Sequence, residues 1–330
     1  MDGNELLDPF ARLLEDVATP AQVRKIEAGG SIAPLWDALK DSGFLDALVP
    51  EDNGGVGLSL DAIGPLLQAL GGNAVPAPVA ETMVARAMLA AGGIDAPDGP
   101  IVLATLTQGR ATAVPLARVA THLLVEADGA LRLIPAEKIE IGATGVEHSL
   151  AGHLALSDLG SAPTLPLPAG GLRPVAAVLR ACAIAGAADR LLQMTVDYAN
   201  DRIQFGKPIG KQQAVQHQLA VMAEQAVAAR MAAQIGCAGG MPPSLAAAAT
   251  AKQISSAAAG LIANIAHAVH GAIGISEEYD LQLFSRRLHE WRLADGAESY
   301  WAALLGRDRL ETDLSSVDYV RTRVAGAAAA

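Results

Sequence analysis

Tyr198-Ala199-Asn200-Asp201-Arg202-Ile203-Gln204-Phe205-Gly206-Lys207-Pro208-Ile209-Gly210-Lys211-Gln212-Gln213-Ala214-Val215-Gln216-His217-Gln218-Leu219-Ala220 separates two long helical patterns. Upstream, helical spacing runs from Arg173 to about Ile203. Downstream it resumes at Gln212 and reaches Ile235. Taken alone, the run Arg202 to Gly206 reads as a helix end with a glycine stop. It also reads as a binding group. A guanidinium beside an aromatic ring can pair with a pyrophosphate and flank an adenine. Gln213 adds amide donors and an acceptor.

A second stretch, Val269-His270-Gly271-Ala272-Ile273-Gly274-Ile275, is followed by Tyr279, Asp280, Leu281 and Arg286. It closes a third helical pattern, Leu245 to Val269, whose Ile254, Leu261, Ile265 and Val269 are spaced for one buried face. Gly271 is placed as its stop. In isolation Gly271 and Gly274 are turn residues; beside a dinucleotide they let the backbone approach closely. His267 and His270 stand at i,i+3, a spacing that suits metal. Without carboxylates nearby the pair reads as structural, and no metal is expected. Two more helices are predicted, over Asp280 to Arg292 and Ala297 to about Leu310.

Toward the N-terminus the pattern is again helical. Phe10, Leu13, Leu14 and Val17 mark one helix, and Leu35, Trp36 and Leu39 mark a second that reaches Phe44. Val49-Pro50-Glu51-Asp52-Asn53-Gly54-Gly55-Val56-Gly57-Leu58 is a loop. Ser59 or Asp61 caps the next helix, whose inner face is Ile63, Leu66, Leu67 and Leu70 and whose end is Gly71-Gly72. A further helix spans Val79 to Ala91. Beyond Gly92 the character changes. Ile101–Leu106, Thr112–Pro115, His122–Val125, Leu131–Pro135 and His153–Leu156 are short runs that read as strands. Asp128-Gly129 makes a hairpin turn. Pro163, Pro166, Pro168 and Gly170-Gly171 read as a linker. The expected order is an N-terminal helical domain over 1–99, a small β-domain over 100–170 and a helical bundle over 171–330.

Bulk composition agrees. Among 330 residues, 51% are hydrophobic and only 3% aromatic, with abundant alanine, which favours packed helices. A net charge of −11 argues against nucleic-acid binding, which needs a basic surface. Two cysteines, Cys182 and Cys237, provide neither a disulfide framework nor a zinc spacing. The first thirty residues lack a basic segment followed by an apolar run, so no signal peptide is expected. The apolar run after Ser244 is interrupted by Lys252, Gln253, Ser255 and Ser256, so no membrane span is expected. A cytoplasmic location follows as the expectation.

The two quoted stretches, in this order, together resemble the flavin-linked signature of the acyl-CoA dehydrogenase family. The loop Val49 to Leu58 resembles that family's N-terminal motif, and the helix–β–helix order extends the resemblance over nearly the whole chain. It implies an N-terminal helical domain, a middle β-domain and a C-terminal four-helix bundle that forms tetramers. It also implies FAD at subunit interfaces, an acyl-CoA substrate oxidised to its α,β-enoyl form, and an electron-transfer flavoprotein-like acceptor. Arg202, Phe205, Gln213, Gly271 and Gly274 are then the groups that reach FAD bound mainly by a neighbouring subunit.

Four departures qualify the resemblance. The β-domain is short and lacks the family's flavin-contacting acidic, glycine-rich segment between Ile101 and Leu167. Where the family places its catalytic Glu-Gly, this chain has Asp295-Gly296. An alternative base position on the first bundle helix holds Ala176, with Ala177 at the neighbouring arginine position. Ala268 and Ala272 replace a Gln and a Gly of the glycine signature. Dehydrogenation needs a carboxylate near the α-proton, and Asp is one methylene shorter than Glu. A misplacement of about 1 Å costs on the order of 100-fold in rate. Asp295 is therefore either a base on a shifted backbone or a turn residue. Together these features resemble the smaller subunit of heteromeric acyl-CoA dehydrogenases, some of which act on steroid side-chain thioesters. Two alternatives are a self-sufficient homotetramer using Asp295 and a non-catalytic scaffold. Retention of Arg202, Phe205 and Gln213 favours a flavin role over a scaffold.

Overall fold

The computed structural model describes residues 3–157 and 162–326. Five helices come first: α1 (Gly3–Val17), α2 (Pro20–Glu27), α3 (Ala33–Asp41), α4 (Leu60–Gly72) and α5 (Val79–Ala91). The N-terminal helices bury Phe10, Leu14, Trp36, Leu39 and Ile63 in the main core. Ser59 caps α4, its Oγ accepting from Ala62 N at 3.1 Å. Helix α2 was not anticipated between α1 and α3. Its signals are Thr19, which caps it, and Pro20 at its first position. Helix α3 stops at Asp41 rather than reaching Phe44, which begins a separate 3-10 turn.

Seven strands follow: β1 (Ile101–Thr105), β2 (Arg110–Val114), β3 (His122–Ala127), β4 (Ala130–Pro135), β5 (Glu140–Ala143), β6 (Gly152–Ala155) and β7 (Thr164–Leu165). They form one sheet in the order β1-β3-β4-β7 and another in the order β2-β6-β5. The β1–β3 pair is parallel and β3–β4 is the expected hairpin. Its turn residues Asp128 and Gly129 have φ of 50° and 76°, as a type I′ turn requires. Strand β5 was not expected. Part of the Pro163–Gly171 stretch, read as a linker, instead adds β7 to the edge of β4. Thr82 ties α5 to the first sheet, its Oγ1 accepting from Ile101 N at 2.9 Å.

The chain then returns to helices: α6 (Leu172–Asp201), α7 (Gln213–Ala238), α8 (Leu245–His270), α9 (Leu281–Leu293), α10 (Glu298–Leu310) and the short α11 (Ser316–Tyr319). Between α6 and α7 lies a two-residue hairpin, β8 (Ile203–Gln204) with β9 (Lys207–Pro208). Small residues decide the packing of α4 on α6. A Cβ on Gly71 would lie 2.0 Å from Ala183 O, and one on Gly186 would lie 1.8 Å from Gln68 O. Gly71 thus serves close helix approach as well as helix ending. Cys182 and Cys237 are buried thiols whose Sγ atoms lie 3.5 Å apart between α6 and α7.

The segment Leu245–Ile275 is long and apolar enough to cross a membrane by length and composition. Here it packs against α6, α7 and α9 as a core element of the bundle. Its interrupting polar residues Lys252, Ser255 and Ser256 are themselves buried.

Candidate functional site

The quoted signatures meet at one end of the bundle. Tyr198, four residues before Arg202, stacks on His270 with ring centroids 4.4 Å apart. Its hydroxyl donates to His270 O at 3.3 Å, and the Tyr279 hydroxyl lies 3.3 Å from His270 Nε2. This aromatic cluster draws the α6–α7 hairpin beside the Gly271–Ile275 turn. His267 Nε2 lies 2.9 Å from Ser285 Oγ, so both histidines are engaged in packing contacts.

At that end Arg202 and Gln213 are exposed, and Phe205, at the hairpin tip, is 91% exposed. Phe205 and Gly206 have φ of 53° and 77°. Gly271 has φ of 64°, and a Cβ there would meet no heavy atom within 4 Å. The edge therefore offers a guanidinium, an aromatic face, an amide and open backbone. That donor set fits the pyrophosphate and adenine of a dinucleotide such as FAD. Gly274 is different: a Cβ would lie 3.0 Å from His270 Cβ and from Leu281 Cδ2, so it serves close packing of the turn.

The principal cavity lies elsewhere. It has a volume of about 840 Å³ and is walled by β1, β2, the loop Thr144–Ala151, the start of α6 at Arg173, and α9 through Gly296. Arg173 and Arg202 stand at opposite ends of α6. At 1.5 Å per residue, 29 residues separate them by about 43 Å. Arg202, Phe205, Gln213, Gly271 and Gly274 are not among the residues that line the cavity.

Asp295 lines this cavity. Its Oδ2 accepts from Arg180 Nε at 3.2 Å, and Arg180 also pairs with Glu81 on α5. The Arg180 side chain is 4% exposed. Its guanidinium is pushed down by burial but held above its ordinary range by Glu81 and Asp295. The Asp295 backbone is left-handed (φ 56°), and Trp301 Nε1 donates to Asp295 O at 3.1 Å.

Below the turn, fully buried Lys252 donates to Ser256 Oγ at 2.8 Å and to Arg292 O and Gly296 O at 2.9 Å each. Burial pulls its ammonium down to about 7, against the upward pull of Asp295. On the opposite wall, buried Glu27 on α2 receives Arg286 at 2.7 Å and Arg287 at 3.0 Å. Glu290 accepts from Ser149 Oγ at 2.6 Å.

Sequence reasoning reached Arg202, Phe205, Gln213, Gly271, Gly274 and Asp295 but not Glu27, Glu81, Glu290 or Lys252. Lys252 carried one usable signal, a single charge within a long apolar helical run. The carboxylates carried none, because each meets its partner across a long stretch of chain.

Residues 175–309 match the family described as acyl-CoA dehydrogenase, C-terminal domain. Acyl-CoA dehydrogenase IpdE2 of Mycobacterium tuberculosis is 34% identical over 296 residues, covering 86% of this chain and 90% of the relative. The structure described as the Tcur3481-Tcur3483 steroid ACAD G363A variant superposes with a TM-score of 0.81 at 26% identity, covering 94% of this chain and 98% of that chain. One chain of the ChsE4-ChsE5 complex from Mycobacterium tuberculosis superposes with a TM-score of 0.77 at 24% identity over the same shares, a likeness of fold. The chain belongs to the acyl-CoA dehydrogenase family, oxidoreductases that act on acyl-CoA and are flavoproteins.

Proposed function

We propose that this chain is one subunit of a flavin-dependent acyl-CoA dehydrogenase that assembles with a homologous partner chain. The observation that carries this is that Arg202, Phe205 and Gln213 are exposed at the α6–α7 hairpin and none of them lines this chain's own cavity. Arg202, Phe205, Gln213 and the Gly271 turn face outward, where they meet FAD seated mainly on a neighbour. In its site, FAD supplies the acceptor for the hydride that leaves the substrate's β-carbon. Arg202 neutralises pyrophosphate charge, Phe205 covers the adenine, and Gly271 admits close backbone approach.

The cavity takes the acyl group. At about 840 Å³ it lies in the upper part of the range for small-molecule pockets, which suits a bulky acyl thioester of the steroid-derived kind. One similar structure is named Tcur3481-Tcur3483 steroid ACAD and another is the ChsE4-ChsE5 complex, which favours a heteromeric over a homomeric assembly. Electrons would pass on to an electron-transfer flavoprotein-like acceptor in the cytoplasm.

The test compares the chain purified alone with the chain co-expressed with its partner. The measured quantity is the flavin absorbance-to-protein ratio. Low flavin alone and near-stoichiometric flavin with the partner are expected. A yellow homotetramer that oxidises an acyl-CoA unaided would refute the partner model.

A further inference from the structure

Four arginines and three carboxylates line the cavity, in a chain whose acids outnumber its lysines and arginines 35 to 24. Two of these arginines are neutralised in place, because Arg286 and Arg287 both donate to Glu27. Asp295 is held by buried Arg180, and Glu290 accepts from Ser149. Arg110 and Arg173 differ: among the described residues neither makes an ion pair.

Their contacts place both at the end of the cavity where β1 meets α6. Arg110 pairs with Thr107 across the turn between β1 and β2, its N donating to Thr107 O at 3.1 Å and its O accepting from Thr107 N at 2.9 Å. Thr105, at the end of β1, donates from Oγ1 to Glu126 Oε2 at 3.2 Å, and the same oxygen accepts from Leu172 N at 2.8 Å. Arg173 follows Leu172 in the first turn of α6. Its Nη1 donates to the Tyr300 hydroxyl at 3.2 Å, and its guanidinium lies 5.3 Å from the centroid of that ring. Tyr300 is 42% exposed and Arg110 is exposed, so this end opens to solvent. With Nη1 anchored, the Nε–Nη2 edge of Arg173 has no protein acceptor among the described residues. That edge is the fork that grips two oxygens of one planar or tetrahedral anion.

We propose that Arg173 and Arg110 form an anion-binding subsite of this cavity, which holds a carboxylate or phosphate carried by the thioester. The proposal rests on the reading above in which the cavity takes the acyl group. Half-buried Arg173 grips the anion, and exposed Arg110 adds charge beside it. Two sources offer the same chemistry: the phosphates of coenzyme A, and a second carboxylate on the acyl group.

The experiment is calorimetric binding to the full chain, alone and with its partner, using three probes. Coenzyme A carries phosphates without an acyl group. The pantetheine thioester of a dicarboxylic acid carries a carboxylate without phosphate. An uncharged acyl-pantetheine thioester carries neither. Arg173→Gln should weaken a charged probe by roughly 10- to 150-fold and flatten the salt dependence of its binding. Arg173→Lys should lose less, and Arg110→Gln about 2- to 5-fold. The uncharged probe should bind parent and variants alike. A loss with coenzyme A assigns the subsite to phosphate; a loss with the dicarboxylic thioester assigns it to the acyl group. Parental affinity and salt dependence for both charged probes in Arg173→Gln would overturn the proposal alone, as would a parent that binds only the uncharged probe. A parent that binds none of the three would overturn the acyl-binding role of the cavity, and the proposal with it.

Discussion

Arg180 Nε donates to Asp295 Oδ2 at 3.2 Å, so the acid that the resemblance offers as a candidate base is bound to a buried cation. The same guanidinium reaches Glu81, tying α5, α6 and the α9–α10 turn at one point. Arg180→Met removes that point and leaves Glu81 buried without its cation. The expected loss of stability is about 3–5 kcal/mol, read from urea unfolding. Pairing the change with Glu81→Gln should recover part of it. A loss below about 1 kcal/mol would show that the pair does not hold these elements together.

Arg202→Ala should weaken flavin retention in the assembled enzyme. A charge-assisted contact to a pyrophosphate is worth roughly 1.5–3 kcal/mol, or about 10- to 150-fold in affinity. Because Arg202 is exposed, the chain's own unfolding should hardly change. Flavin content after gel filtration is the check, and parental content in the variant would remove Arg202 from the cofactor edge.

Lys252 predicts a pH dependence with a definite sign. The groups acting on its ammonium are Asp295 and Glu298, which favour it, and Arg180 and Arg292, which oppose it. Burial outweighs them and brings its pKa from 10.5 in the unfolded chain to about 7 when folded. Between those values the unfolded state binds the extra proton, so stability rises with pH. Below about 7 the full penalty of burying the charge is present; above 10.5 it is gone. The contribution is at most about 1.4 kcal/mol per pH unit. Urea unfolding between pH 7 and 9 should show this rise in the parent and a flatter profile in Lys252→Met. Parallel profiles would place the ammonium's titration outside that window.

Much of the fold was legible because local rules decide it. Ser59 caps α4 as its position suggests, and Asp128-Gly129 turns the β3–β4 hairpin. The bundle helices end near the glycines and polar breaks that mark them. Helix α2 escaped because eight residues with a weak apolar stripe carry little periodic signal. Strand β7 escaped because prolines flank it and only Thr164 and Leu165 pair with β4.

By itself the sequence determined the order of helices and strands, the family signatures, and the acidic, alanine-rich composition that favours packed helices. These depend on periodicity, capping and residue type over short spans. Only the tertiary structure decided what each carboxylate does. Glu81 meets Arg180 from 99 residues away, Ser149 meets Glu290 from 141, and Glu27 meets Arg287 from 260. Whether an acid is a strut or a proton acceptor depends on whether a cation lies within a few ångströms. That proximity arises when distant segments pack together, and no local pattern records it.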